Sequence, residues 1–130
     1  MIALKGLIID TPHIDNILAS KKSWEMRSTA TKQRGLIALI RKGSGMVVGV
    51  AELVDSKGPL SREDMLGNVS KHLVSRERIE SGAIDKWKHA WVMKGARPLA
   101  RPVSYMHPNG AVIWVTLDAD VANMVLGQLG

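Results

Sequence analysis

The sequence predicts an α+β domain, on three observations. The apolar runs LIALI (36–40), MVVGVAELV (46–54) and AVIWVTL (111–117) have the length and β-branched content of strands. RKGSG separates the first two, a glycine-punctuated loop of the kind that joins hairpin arms. Between residues 56 and 82 the texture turns polar, and serine caps open helices only one or two turns long.

In chain order, residues 3–9 form a first strand, apolar enough to lie centrally, and Asp10 and Thr11 lead into a helix. Thr11 is the expected cap and Pro12 the first-turn residue, with Ile14, Ile17 and Leu18 on one face. After Ser20 the pattern switches to alternation, giving a strand over residues 23–28 with Trp24 and Met26 on one face and Glu25 and Arg27 on the other. Thr29 to Arg34 is a polar, basic loop placed to close over a ligand. In the second hairpin arm, Gly49 marks a bulge or a close backbone approach. Ser61 with Asp64 three residues on is a variant capping box, and Ser75 is a second cap, so a small helical excursion is expected there. His72, in the connecting segment, faces either the site or solvent. KHAWVM (88–93) returns to strand, whereas Pro98 and Pro102 confine residues 96–105 to an edge or a crossover. MHPNG turns the chain into the final strand, and Asp118 or Asp120 caps a terminal helix ending near Gly127.

A chain of 130 residues, 45% hydrophobic, is expected to form a single domain over residues 1–130 with one core. It has no cysteine, which excludes disulfides, thiolate chemistry and cysteine-bound zinc and fits a reducing cytoplasm. No run approaches the roughly 20 apolar residues of a membrane span, and the first ten residues do not read as a signal peptide. A soluble cytoplasmic protein is expected. The histidines, at 13, 72, 89 and 107, are scattered with no ligand spacing, and no phosphate-cradling glycine loop is present, so neither metal nor cofactor is expected. The net charge is +6, unevenly spread: residues 20–42 hold seven basic residues against Glu25 alone, and residues 86–107 hold five with no acid. If the two stretches meet they form a face suited to phosphates; otherwise they are solvated strand edges.

Lysine at 22, glutamate at 25 and arginine at 27, directly after a short helix, resemble the motif of the ASCH family, relatives of PUA RNA-binding domains. In that motif glycine, any residue, lysine, any two, glutamate, any and arginine follow one another. Ser20 stands where the family has glycine, at a helix end that favours a left-handed residue. The later pattern HAWVMKGARPLARPVSYMHPNGAVIWVTL resembles the family's closing segment, so the resemblance runs from Leu4 to Leu117. It implies a PUA-like mixed β-barrel of about five to six strands with short flanking helices and a cleft. It also implies roles near RNA, with ribonuclease or modified-nucleoside hydrolase activity in some members. In members that deacetylate N4-acetylcytidine the motif's lysine and a threonine are catalytic; Lys22 matches the lysine, but Glu25 occupies the threonine position, which counts against that activity.

Read from the residues, Lys22 and Arg27 offer charge-assisted donors to a phosphate or base oxygen, and Glu25 accepts from an amine or ribose hydroxyl. Alternatively Glu25 and Arg27 are a barrel-lining ion pair. Ser23, Thr29 and Lys42 are expected near this set. With no phenylalanine and one tyrosine, tryptophan must supply most of the aromatic core. Trp24 and Trp114 read as core, while Trp91 and Tyr105, flanking Arg97, are candidates to stack on a base. The expected function is RNA or nucleotide binding by Lys22, Ser23, Glu25, Arg27, Lys42, Trp91, Arg97 and Tyr105. The alternative is a metal-independent hydrolase of RNA or a modified nucleoside, with Glu25 as base and Lys22 stabilising an oxyanion.

Overall fold

Residues 6–9 are buried on both sides of the strand they form, and that strand lies inside the sheet, between two others. A computed structural model of the chain describes residues 3–129. The elements are β1 (Lys5–Ile9), α1 (His13–Leu18), β2 (Trp24–Arg27), β3 (Gly35–Arg41), β4 (Met46–Lys57), α2 (Arg62–Leu66), α3 (Val69–His72), α4 (Arg76–Glu80), β5 (His89–Ser104), β6 (Trp114–Thr116) and α5 (Ala119–Gly127). The six strands form one sheet in the order β2-β5-β4-β3-β1-β6, with β1 parallel to β3 and the other pairs antiparallel.

The sheet is rolled into a half-barrel. Trp91 of β5 and Trp114 of β6 are four strand positions apart, roughly 19 Å on a flat sheet, yet their rings stack at 5.7 Å with 13° between planes. Each face has its own core. Inside the curve lie Leu7, Ile9, Ile37, Leu39, Ala51, Leu53, Trp91 and Met93, and α1 inserts Ile14 and Ile17 among them. Outside, Ile8, Ala38, Ile40, Val50 and Val115 are covered by Val121, Ala122 and Val125 of α5. Burial on both faces explains why β1 and β3 read as continuous apolar runs rather than alternating ones. A third cluster, Met65, Val74, Ile79 and Ile84, belongs to the helical excursion between β4 and β5 and packs Met26 and Trp87 against it.

Several local expectations hold. Ser61 and Asp64 make the reciprocal capping box of α2, Ser75 accepts from the Arg78 amide, and Asp118 caps α5 by accepting from Val121. Others do not. Thr11 caps nothing: α1 begins at His13, with no side-chain cap. The final strand is three residues long, because residues 111–113 run irregularly before it and give only the Ile113 carbonyl to the Ile8 amide. The loop over residues 29–34 is pinned, since Ser56 Oγ accepts the Thr31 amide and the Thr29 carbonyl accepts the Trp91 indole N–H. The proline-containing part of β5 is an edge as expected. Past Met93 it has only β4 beside it, and Leu99 to Pro102 bulge out opposite Val48. Gln128 closes that bulge by bonding both the amide and the carbonyl of Arg101.

His72 is fully buried, neither at the candidate site nor in solvent. Its Nε2 donates to the Met65 carbonyl and its Nδ1 accepts from the Val74 amide, which fixes a neutral tautomer. Burial lowers its proton affinity. The unfolded chain therefore binds more protons between the folded value and the ordinary 6.5, and stability rises with pH across that window.

Two predictions follow from these contacts. A Cβ at Gly49 meets the Leu18 side chain and lies 2.8 Å from the Arg97 carbonyl, so Gly49→Ala is expected to cost about 1–3 kcal/mol in urea unfolding. The melting temperature is expected to fall between pH 7 and pH 5, and His72→Gln to melt lower at pH 7 with a shallower pH dependence. A profile as steep in the variant as in the wild type would assign the acid sensitivity elsewhere.

Candidate functional site

The turn after α1 delivers the motif. Lys21 donates its amide to Asn16 and Ser20 to Ile17, and Ser20 sits at φ 60°, so the helix ends in a Schellman motif. Ser20 thus adopts the left-handed conformation that glycine takes more cheaply, at a cost of about 1 kcal/mol. The Lys22 amide also reaches the Asn16 carbonyl. Ser23 is held by its backbone: its amide donates to the Lys71 carbonyl of α3 and its carbonyl accepts from Met93 of β5.

Beyond that anchor the strand alternation separates two environments. Trp24 and Met26 turn toward the helical excursion, where Trp24 lies 6.5 Å from the His72 ring and under the Lys71 ammonium. Glu25 and Arg27 turn into the barrel, and Glu25 pairs in register with Trp91. The Glu25 carboxylate, buried, takes Lys22 Nζ at 3.4 Å on one oxygen and the Arg27 guanidinium at 3.0 Å on the other. Arg27 also donates to the Ile8 carbonyl at 2.8 Å and lies 5.4 Å from the Trp91 ring. Lys22 completes the chain by donating to His13 Nδ1 at 3.0 Å.

Lys22 is the unusual member. Only 2% of its side chain is exposed. Burial lowers its pKa, opposed by the attraction of Glu25. His13 is likewise lowered, first by burial and then by the Lys22 charge, so its ring is neutral beside the ammonium. Both side chains line a cavity of about 130 Å³ whose other walls include Met26, Met65, Arg78 and Trp87. At roughly 30 Å³ per water that is room for about four waters, a space for one small group.

The structure brings Lys22, Ser23, Glu25 and Arg27 together and disperses the rest of the expected set. Trp91 is 2% exposed, stacked on Trp114 beneath Arg27, and has no free face for a base. Lys42 and Tyr105 line a different cavity beyond the end of β1. Arg97 is exposed on the edge part of β5, donating to the Leu129 carbonyl. Thr29 acts through its carbonyl on Trp91. The two basic stretches meet where β2 pairs with β5 and again at the cavity that Lys42 shares with Tyr105 and His107. His13, Arg78, Met65 and Trp87 carried no signal in the sequence, because the excursion that folds over β2 supplies three of them from 40 to 62 residues further along the chain than Lys22–Glu25. Among the described residues no group of three or more histidine, aspartate or glutamate side chains converges as metal ligands. None of the helices among them is long and apolar enough to cross a membrane.

No family model and no curated protein matches this sequence. Solved structures do. The crystal structure of ASCH from Zymomonas mobilis superposes with TM-score 0.70 at 12% identity, covering 95% of this chain and 93% of that one. A tyrosine-to-phenylalanine mutant of the same protein gives 0.70 at 13% identity over 95% and 96%. A serine-to-alanine mutant gives 0.69 at 14% over 95% and 94%. Likeness at that identity is likeness of fold, and the six-stranded half-barrel described here is the ASCH-domain fold, an α+β fold of the PUA-like kind.

Proposed function

We propose that the protein binds RNA or a nucleotide by taking a single base into the cavity beside Lys22. The observation that carries this is a buried ammonium, held by Glu25 and His13, lining an otherwise largely apolar pocket. Such a group gives one strong, directional hydrogen bond to a carbonyl or anionic oxygen, while Trp87 and the methionines offer flat, polarizable contact. The fold family is consistent with RNA as partner, and the surroundings suit a phosphate backbone. Lys21, Lys71, Arg78, Lys86 and Lys88, on the elements around the pocket, have no carboxylate partner among the described residues. Glu25 and Arg27 have a supporting role here, fixing the ammonium and the seam of the barrel.

Hydrolysis of RNA or of a modified nucleoside is the second reading. It is favoured by the lowered proton affinity of Lys22 beside His13, the property of a lysine that moves protons. In it the Lys22 ammonium stabilises an oxyanion and gives up its proton to it, and Glu25 takes a proton from water. Both Glu25 oxygens already face cations, which weighs toward binding.

Calorimetric titration with cytidine, adenosine and short RNAs, alongside product analysis, tests both. Lys22→Met is expected to weaken nucleoside binding at least about tenfold. It is also expected to melt no lower than wild type at pH 7, since it removes a desolvated charge and leaves Glu25 paired with Arg27. Wild-type stability gains as pH rises toward the ordinary lysine value of 10.5, because there the unfolded chain binds the extra proton, so any advantage of the variant shrinks with pH. Undiminished nucleoside affinity in Lys22→Met removes the pocket from consideration. Glu25→Gln is expected to lose about 3–5 kcal/mol of stability by stripping two buried cations of their carboxylate. Product formed by wild type and lost in a still-folded Glu25→Gln selects the hydrolase.

A further inference from the structure

The second cavity, about 390 Å³, is built around Lys42, Gly43 and Gly45 of the β3–β4 hairpin and Tyr105 and His107 from the segment after β5, with Ile8 among its walls. Its polar groups are oriented. A carbonyl oxygen only accepts, so His107 Nε2 carries a proton and donates it to Ala111 at 2.9 Å. In the neutral imidazole Nδ1 is then the acceptor, and the Tyr105 hydroxyl donates to it at 2.8 Å. The phenol proton is thus committed, and the Tyr105 oxygen is left as an acceptor. Burial raises the phenol's pKa, which keeps it protonated. The same cavity is lined by residues that carry donors. Lys42 has no carboxylate partner among the described residues, whereas its neighbour Arg41 is held by Asp15 at 2.7 Å. The amides of Gly43 and Gly45 likewise have no hydrogen-bond partner there.

A cation and free amides in one cavity with a fixed acceptor match a group that is anionic at one end and a hydroxyl donor at the other. We propose that this cavity is a sugar–phosphate subsite for RNA, in which Lys42 and the hairpin amides hold a phosphate and the Tyr105 oxygen accepts from a ribose 2′-hydroxyl. The proposal rests on RNA as the partner of the Lys22 pocket and extends it to a chain of nucleotides. The two cavities flank one short segment: Ile8 lines one and His13 the other, at most about 18 Å apart along the chain. A hexanucleotide spans about 17 Å even when fully stacked.

The test is titration of a hexaribonucleotide of alternating adenosine and cytidine, its deoxy counterpart, and free cytidine, across a range of salt. Lys42→Ala is expected to reduce the slope of log affinity against log salt by about 0.7 for the ribonucleotide, with cytidine affinity unchanged. Tyr105→Phe, which keeps the ring in place, is expected to weaken the ribonucleotide about fivefold and leave the deoxynucleotide unaffected. An unchanged salt slope in a folded Lys42→Ala overturns the subsite, as does an equal loss of ribo and deoxy ligands in Tyr105→Phe. Wild type that binds cytidine but holds the hexaribonucleotide no more tightly overturns the subsite while leaving the base pocket standing. Wild type that binds neither removes both.

Discussion

The buried carboxylate of Glu25 is the point on which the structure turns. Among the described residues it is the only anion paired with both Lys22 and Arg27, and through Arg27 it reaches the Ile8 carbonyl. β2 and β1 lie four places apart in the sheet order, so this guanidinium crosses the mouth of the half-barrel, where no ladder hydrogen bonds are available. Placing two cations and one anion out of water is costly, and such a set survives only when every member is paired and hydrogen-bonded. Here the pairing is complete at Arg27 and Glu25. Lys22 has one weaker contact with Glu25 and one with a neutral imidazole, and its lowered proton affinity records the deficit.

Stability is spent locally and recovered in the sheet. Ser20 in a left-handed conformation and Lys22 beneath the surface both oppose folding, and both fall within three residues at the end of α1. Against them stand two apolar layers, one on each face of the central strands, with α1 inserted in the inner layer and α5 laid over the outer one. The Trp91–Trp114 stack adds about 0.5–1.5 kcal/mol beyond its burial and fixes the curvature that brings β2 toward β1. A strained, polar helix end on a rigid two-sided sheet is the arrangement expected where a binding group must be held in place.

The positive charge is sorted by its partners. Arg41, Arg62, Arg76 and the Arg34, Lys57 and Asp55 group are tied into surface ion pairs, each worth little. Among the described residues, Lys21, Lys71, Arg78, Lys86 and Lys88 around the Lys22 pocket and Lys42 at the second cavity have no carboxylate partner, and neither do Lys5, Lys32, Lys94, Arg97 and Arg101 elsewhere in the fold. Net charge alone does not distinguish these groups from the paired ones; the distribution of acids in space does.

By itself the sequence determined most of the strands, three of the four expected caps and the motif, because these depend on near neighbours. Apolar runs buried on both faces, the Ser61–Asp64 box, the Ser75 and Asp118 caps, the left-handed turn at residue 20 and the opposite facing of Trp24 and Glu25 all follow from spacing of a few residues. Gly49 was legible too, as a position where another backbone comes close. What the tertiary structure decided is which distant groups share a space. The roll of the sheet buried Trp91 and sent Lys42 and Tyr105 to a separate cavity, while the excursion folded Met65, Arg78 and Trp87 over β2 to wall in Lys22. The burial of His72 and the pairing of Lys22 with His13 belong to the same class. They are contacts between elements, set by curvature and packing, and no local period in the chain encodes them.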